Sequence, residues 1–263
     1  MMFQISSYLK FLWQSKNEHA VHSPFVFNLL TKCFYDKKLK PEYLILKNYR
    51  KSLLDNKNFI EVKDFGAGSR VFKSNTRQVS KIAKTAGISP KRAELIFRVV
   101  RYFQPDTILE IGTSLGLATS ALALGNLKAK VITLEGCPNT SSVAQYQLEN
   151  FNYNNINPVV TEFESYFKNL TKDLRAEEKN FDLIYFDGNH SKKATLAYFD
   201  SLLPTITNDS VWIFDDIHWS PEMEEAWNII KKHSQVKVTI DTFQWGFVFF
   251  RREQKKEHFI IRT

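Results

Sequence analysis

Two glycines and an acid at one turn of the chain could build a nucleotide-binding loop. In the segment TILEIGTSLGLATSALA, Glu110, Gly112 and Gly116 lie where a predicted strand ends and a predicted helix begins. Glycines at such a turn let the backbone approach a ligand at the helix N-terminus. A GxGxxG dinucleotide motif needs a glycine where Glu110 stands, so a nicotinamide enzyme is disfavoured.

The same loop also fits the GxSxG nucleophile elbow of serine hydrolases, through Gly112, Ser114 and Gly116. Such a hydrolase would combine Ser114 with a later acid and His218. Hydrolases of that fold have several strands and an oxyanion loop before the elbow, whereas here the elbow follows the first predicted strand. The hydrolase remains an alternative interpretation.

A second acid follows the next predicted strand. The segment KVITLEG carries Glu135, 25 residues after Glu110. We expect Glu135 at the carboxyl edge of the neighbouring strand, where a carboxylate can accept both ribose hydroxyls of a nucleoside. The loop and the acid together favour a nucleoside-binding site.

These residues resemble the first motifs of the class I S-adenosylmethionine (SAM) dependent methyltransferases. In that family an acid, one residue, a glycine, three residues and a second glycine form the loop, and a later acid binds ribose. The resemblance covers residues 90–252, including the terminal hairpin that this family adds to its sheet. It implies SAM as the cofactor, bound by Glu110, Gly112, Thr113, Ser114, Gly116 and Glu135.

Three more acids follow two later predicted strands. FDLIYFDGNH carries Asp187, and VWIFDDIHW carries Asp215 and Asp216. Because the carboxyl ends of adjacent parallel strands lie about 4.8 Å apart at one edge, we expect the three carboxylates to converge. A hard divalent cation such as Mg²⁺ would relieve their repulsion and suits oxygen ligands. Alternatively, single acids of this set could cap the helices that follow.

A histidine beside these acids could take a proton near neutral pH. His190 lies three residues after Asp187, although a histidine at a helix start can also be a cap. The DGxH and DD patterns resemble the metal-dependent small-molecule O-methyltransferases, which include the catechol and macrolide-sugar enzymes. The resemblance implies Asp187, Asp215 and Asp216 as metal ligands and His190 as the base. The catechol branch has lysine at the base position and asparagine as the last ligand, so this chain departs from it.

The elements that must position these residues alternate between strand and helix after residue 106. TILEIG, KVITLEG, NPVVTEF, FDLIYFD and DSVWIFDD each predict a strand followed by a helix, which is typical of a parallel sheet covered on both faces. VKVTIDTF and WGFVFFRR are too close together for a helical crossover and predict an antiparallel hairpin. The predicted fold class is α/β: a Rossmann-like, seven-stranded, mostly parallel sheet with a C-terminal antiparallel hairpin, preceded by a helical N-terminal cap.

Helices are predicted throughout the part of the chain before residue 106. MMFQISSYLKFLWQSK predicts an amphipathic helix, and Ser-Pro pairs at 23–24 and 89–90 predict helix starts. SNTRQVSKIAKTAG predicts a shorter helix, and no alternation is strong enough to place a sheet there. We therefore divide the chain into a basic helical cap, residues 1–89, and a SAM-dependent methyltransferase domain, residues 90–263.

A second acid-glycine segment lies within the predicted cap. VKDFGAGSR, with Asp64, Gly66 and Gly68, also looks like a nucleotide loop. Two helices rather than an acid-ended strand are predicted to follow it, so it should not open a Rossmann unit. We expect a tight turn, which could also border the cofactor or the substrate.

The charge of the chain is uneven. Residues 1–105 hold 20 Lys or Arg and 7 Asp or Glu, a net charge of +13, and the remainder carries −5. The basic residues could be solvated helix faces, or they could attract an anionic small-molecule acceptor. A metal-independent RNA-directed protein or a non-catalytic relative is the alternative, but no recognisable nucleic-acid-binding motif accompanies the charge.

The remaining features concern location and assembly. No apolar run approaches the ~20 residues of a membrane span, and the N-terminus lacks the pattern of a signal peptide, which predicts a cytoplasmic protein. Cys33 and Cys137 have no zinc-like spacing and form no disulfide framework, so any metal must bind oxygen or imidazole. A homo-oligomer is compatible with the sequence.

Overall fold

A computed structural model describes residues 2–63, 65, 72–173 and 180–263 of the 263-residue chain. Asp64, Gly66 and Gly68, for which a tight turn was predicted, lie outside the described residues. The chain divides into two compact units: Met1–Thr31 with Glu164–Thr263, and Lys32–Phe163. The cap and methyltransferase boundaries drawn from the sequence, 1–89 and 90–263, remain a prediction.

Ten α-helices and ten strands are described. The helices are α1 (Met2–Gln14), α2 (Pro24–Leu29), α3 (Glu42–Asp55), α4 (Val79–Thr85), α5 (Pro90–Phe103), α6 (Leu117–Gly125), α7 (Pro138–Asn150), α8 (Phe163–Asp173), α9 (Lys192–Leu202) and α10 (Pro221–Lys232). The strands are β1 (Phe59–Glu61), β2 (Thr76–Gln78), β3 (Thr107–Ile111), β4 (Lys130–Glu135), β5 (Ile156–Val160), β6 (Leu183–Phe186), β7 (Val211–Asp215), β8 (Val238–Asp241), β9 (Trp245–Phe249) and β10 (Glu257–Ile260).

The unit Lys32–Phe163 holds three parallel strands in the order β3-β4-β5. Glu110 is paired with Thr133, so the carboxyl ends of β3 and β4 lie at the same edge. The unit also contains an antiparallel pair, β1 and β2, which the sequence did not predict. Strands of three residues are too short to show an alternating pattern. β2 also shortens the helix predicted from residues 74–87 to α4.

The other unit holds five strands in the order β10-β8-β9-β7-β6. β6 and β7 are parallel, whereas β9 runs antiparallel to both β7 and β8. The antiparallel hairpin predicted at the end of the sheet is therefore present. β10 is an additional strand parallel to β8, so these five and β3, β4 and β5 make eight main strands where seven were predicted. Charged residues around β10 hide its strand pattern.

Local sequence explains where the helices begin. Ser23 and Ser89 each accept a hydrogen bond from the backbone N–H three residues on, at 3.4 Å in both cases. In each case proline occupies the first helical position, where its missing N–H costs no hydrogen bond. The N-terminal helix is also present as α1.

The fold class is the predicted one: mixed α/β, with mostly parallel strands, a Rossmann-like order and helices at the N-terminus. Within the described part of the chain, no helix is both long and apolar enough to cross a membrane.

Candidate active site

The loop after β3 has a backbone that favours glycine. Gly112 and Gly116 adopt positive φ angles of 101° and 76°, and Ser114 between them has φ 49°. A side chain at Gly116 would also collide with Tyr49, because a Cβ there would lie 2.5 Å from the tyrosine hydroxyl. That hydroxyl donates to the carbonyl oxygen of Leu115 at 2.9 Å and so fixes the loop from the α3 side. Gly112 is thus favoured by its conformation, and Gly116 both by its conformation and by the space that it leaves for Tyr49.

Backbone hydrogen bonds bind this loop to the neighbouring strand. The N–H groups of Gly112 and Thr113 both donate to the carbonyl oxygen of Leu134, at 2.9 and 3.0 Å. The N–H of Gly116 donates to the carbonyl oxygen of Thr113 at 2.9 Å. The loop is therefore held close to the end of β4 by backbone hydrogen bonds.

Glu110, which precedes the loop, is completely buried. Its Oε2 accepts hydrogen bonds from the hydroxyls of Thr119 and Thr133, at 2.5 Å each, and its Oε1 is buried with no hydrogen-bond partner among the residues that the structure describes. Burial raises the pKa of Glu110 to about 8, a rise that the two threonine bonds oppose and the charge of Glu135 reinforces. At neutral pH this side chain is therefore predominantly a neutral acid that joins β3, β4 and α6.

Glu135, at the end of β4, joins the two loops of the site. Its Oε2 accepts the N–H of Ser114 at 2.8 Å, and its Oε1 accepts the N–H of Cys137 at 2.9 Å. The side chain is only partly buried, and an ionised carboxylate acts only as a hydrogen-bond acceptor. Of the predicted cofactor residues, the structure thus brings together the glycine loop, Thr113, Ser114 and Glu135 at one edge, with Glu110 behind them.

An aromatic side chain that the sequence did not single out lies against Gly136, the residue after this acid. A Cβ at Gly136 would stand 2.8 Å from the ring of Phe65, so the glycine leaves room for that ring. The ammonium group of Lys63 lies 4.5 Å from the ring centroid. Phe65 is in the VKDFGAGSR segment, for which a position bordering the cofactor was one expectation. Tyr49 lies 66 residues before its hydrogen-bond partner Leu115, so no local sequence pattern could indicate that it contacts the glycine loop.

The three predicted metal ligands lie in the other unit, at the ends of β6 and β7. Phe186 pairs with Phe214, so Asp187 and Asp215 follow at equivalent positions of adjacent parallel strands. Asp215 is buried and accepts the Tyr185 hydroxyl at 3.1 Å and the Asp216 N–H at 2.9 Å. Within the ranges that the structure describes, no three or more His, Cys, Asp or Glu side chains form a group that could hold a metal ion.

The helix-cap alternative for these residues is contradicted by the hydrogen bonds. Ser191 caps α9 by accepting the Ala194 N–H, and Ser220 caps α10 by accepting the Met223 N–H, at 3.4 and 3.2 Å. The predicted base, His190, instead has its Nε2 3.6 Å from Oδ1 of Asp187. The N-caps of α9 and α10 are therefore serines, and neither the acids nor His190 has that role.

His218, the histidine of the hydrolase alternative, is held by two carboxylates. Its Nδ1 lies 3.1 Å from Glu224 and its Nε2 2.9 Å from Asp241, and the Phe243 ring stacks on it. Burial lowers the pKa of His218, but the bonds and charges of Asp241 and Glu224 outweigh it and raise the pKa overall. With both ring nitrogens engaged, His218 cannot serve Ser114 as a general base, which argues against the hydrolase.

Residues 109–217 match a family of methyltransferase domains. No curated protein matches the sequence significantly. Among solved structures, an O-methyltransferase from Bacillus cereus in complex with SAH is 17% identical with a TM-score of 0.54, covering 82% of this chain and 92% of its own.

Two further structures have the same fold. TomG of Streptomyces achromogenes, an O-methyltransferase of tomaymycin synthesis in complex with SAM, is 14% identical (TM-score 0.55; 89% of this chain, 97% of its own). The SAH-bound methyltransferase PaMTH1 of Podospora anserina is 12% identical (TM-score 0.58; 88% and 97%). The glycine loop and Glu110 lie in the matched region, as do Glu135 and the acids after β6 and β7. Residues 109–217 of this chain are therefore similar to a family of methyltransferase domains, and the chain has the fold of these O-methyltransferase structures.

Proposed function

We propose that this protein transfers the methyl group of SAM to a hydroxyl of a small molecule, with the assistance of a divalent cation such as Mg²⁺. The observation that carries the proposal is the partly buried carboxylate of Glu135, which accepts the N–H of Ser114 in the glycine loop and would accept the ribose hydroxyls. The methyltransferase family match and the SAM- and SAH-bound structures of the same fold support it.

The cofactor would lie along the loop after β3 in the unit Lys32–Phe163. SAM supplies a methyl group already activated by its sulfonium, so the protein has mainly to align the reacting groups. Gly112 and Gly116 allow the backbone to approach the ligand, with Thr113 and Ser114 beside it, and Glu135 would accept the ribose hydroxyls. Glu110 supports the loop from behind, since it is fully buried.

The acids after β6 and β7 would hold the cation. Carboxylate oxygens are suitable ligands for a hard ion, so the side-chain types of Asp187, Asp215 and Asp216 fit Mg²⁺. Their side chains, as the structure describes them, do not form a cluster of three metal ligands. A bound cation supplies a Lewis acid that orients an acceptor hydroxyl and lowers its pKa. His190, next to Asp187, would then accept the hydroxyl proton.

The acceptor is expected to be a small anionic molecule with a free hydroxyl. The unit Lys32–Phe163 holds 20 Lys or Arg and 11 Asp or Glu, a net charge of +9. A positive field of this size raises the local concentration of anions, and salt screens it. The KM for the acceptor should therefore rise as salt is added.

The test is transfer of radiolabelled methyl from SAM to catechols, hydroxy acids and sugar acids, with Mg²⁺ or EDTA. We expect transfer with Mg²⁺, reversible loss in EDTA, and a higher Mg²⁺ requirement for Asp215→Asn. Asp200→Asn, an exposed change on α9, is the matched control and should behave as wild type. Full transfer in EDTA would remove the cation from the proposal, and absence of transfer to every hydroxyl acceptor would contradict O-methylation.

A further inference from the structure

The loop after β4 holds an aromatic ring beside the proposed ribose-binding acid. Glu135 ends β4, and Gly136 follows it. A Cβ at Gly136 would lie 2.8 Å from Cδ2 and 3.1 Å from Cε2 of Phe65, so the ring fills the space that a side chain at Gly136 would need. The glycines with positive φ in the described chain are Gly112 and Gly116, so space rather than backbone conformation favours glycine after Glu135.

Hydrogen bonds attach the segment that carries this ring to the same loop. The N–H of Lys63, two residues before the ring, donates to Sγ of Cys137 at 3.3 Å. The side-chain amide of Asn139 donates to the carbonyl oxygen of Glu61, in β1, at 2.8 Å. All these residues belong to the unit Lys32–Phe163. The chain that leads to the ring is therefore fastened to the loop after β4.

The ring is accessible to a ligand. Phe65 is 37% exposed, although Gly136 lies against its ring. The ammonium group of Lys63 lies 4.5 Å from the ring centroid, a cation–π contact that helps to hold the ring in place. An aromatic ring that is held and partly exposed can stack on a flat π system, and every nucleobase has such a π face.

The chemistry of the ligand follows from the position of the ring relative to Glu135. A nucleobase is bonded directly to ribose, so a base whose ribose binds Glu135 must lie close to the residues next to that acid. Gly136 is the next residue, and the ring of Phe65 takes the place of its missing side chain. This step rests on the proposed function, in which Glu135 accepts the ribose hydroxyls of SAM. The base beside the ring would then be adenine.

We propose that Phe65 stacks on the adenine of SAM and so sets how tightly the base of the cofactor is bound. Phe65 lies outside residues 109–217, which match the family of methyltransferase domains, so a segment before the matched region completes the nucleoside site. The stack adds an apolar contact and excludes water from one face of the base. Phe65 positions the cofactor and takes no part in the methyl transfer itself.

Calorimetric titration with SAH, the demethylated product of SAM, tests the assignment without an acceptor or turnover. Loss of one base–aromatic stack should raise the Kd of Phe65→Ala by about 5- to 150-fold, and Phe65→Tyr should stay close to wild type. The matched control is Phe59→Ala, which removes a 64% exposed ring of β1 in the same unit and should leave the Kd unchanged. Both variants should unfold thermally like wild type, because both rings are exposed.

A tryptophan in place of this ring reports the stack directly. The five tryptophans of the chain all lie outside the unit Lys32–Phe163, so Phe65→Trp would add the only one of that unit. A purine that stacks on an indole quenches its fluorescence. Adenosine should therefore quench the added fluorescence of Phe65→Trp, and methionine, the other part of SAM, should not. Phe59→Trp should be quenched by neither.

The contact with Gly136 gives a third readout. Gly136→Ala places a Cβ 2.8 Å from the ring and should displace it, so this variant should bind SAH more weakly than wild type. When Phe65→Ala has already removed the ring, Gly136→Ala should cause no further loss. Fully additive losses would contradict a ring that lies between Gly136 and the base.

The outcomes separate this proposal from the proposed function. An equal Kd for SAH in wild type and Phe65→Ala, or an equal loss in Phe65→Ala and Phe59→Ala, would overturn the stacking role and leave the proposed function standing. Quenching of Phe65→Trp by methionine instead of adenosine would also overturn it. A wild type that binds no SAH would contradict the proposed function itself, and the role of Phe65 with it.

Discussion

The buried acid Glu110 makes the stability of this protein depend on pH in a direction opposite to that of most carboxylates. Its pKa rises from 4.5 to about 8 on folding because the side chain is completely buried. Between these two pH values the folded chain therefore holds one more proton at this site than the unfolded chain. Stability due to this group is full below pH 4.5 and is lost as the pH rises through 8.

The expected change in the free energy of unfolding follows from the interval between the two pKa values of Glu110. One proton of difference changes the unfolding free energy by about 1.4 kcal/mol per pH unit, so the full window corresponds to a few kcal/mol. Glu110→Gln removes the titration and keeps an oxygen for the Thr119 and Thr133 hydroxyls. From pH 5 to pH 8, the stability of wild type should therefore fall relative to that of Glu110→Gln.

The assay is urea unfolding followed by tryptophan fluorescence at half-unit pH steps. The difference between the two proteins isolates this group, because all other titrations are shared. Glu149→Gln, an exposed change on α7, is the control and should follow wild type at every pH. Parallel curves for wild type and Glu110→Gln would refute a raised pKa, and so would a wild type that gains relative stability at high pH.

Two further substitutions test the loop and the proposed base. Gly116→Ala should destabilise the fold by about 1–3 kcal/mol and weaken SAM binding, because the alanine would have a positive φ and its Cβ would collide with the Tyr49 hydroxyl. Thermal unfolding measures the loss of stability, and a SAM titration measures the loss of affinity. An unchanged melting temperature would contradict this argument. His190→Ala should lower kcat by about 10²- to 10⁴-fold with SAM affinity unchanged, in single-turnover methyl transfer. His19→Ala, an exposed control, should have wild-type turnover, and a normal kcat for His190→Ala would return that residue to a structural role.

The sequence predicted the parts of this protein that depend on local signals. Apolar segments that carry an acid at or near their ends, Glu110, Glu135 and Asp187, predicted the strands β3, β4 and β6, and serine-proline pairs predicted the starts of α2 and α5. These signals are local because caps and strand patterns act over a few residues. The main strand that was not predicted is β10, which pairs with β8. Charged residues precede and follow it, so it shows no apolar pattern typical of a strand.

The contacts that complete the site could not be read from the sequence, because they join distant residues. Tyr49 and Gly116 meet only in the fold, and so do Phe65 and Gly136. The same holds for the hydrogen bond from Ser114 to Glu135, although the family resemblance predicted that these two residues share a site. Strand order also led us to expect that the three acids converge on a cation site. Among the described residues their side chains form no such cluster, because strand order places the backbone and does not determine the side-chain positions.

Calorimetric titration of the protein with SAM tests the central claim most directly, because Glu135 accepts a hydrogen bond from the glycine loop and is the proposed ribose-binding group. We predict that wild type binds SAM and its demethylated product and does not bind NAD. Glu135→Ala should weaken SAM binding by about 2 kcal/mol, or about 30-fold in Kd, with Glu135→Gln in between. No SAM binding by the folded wild type, or an unchanged Kd for Glu135→Ala, would contradict the account.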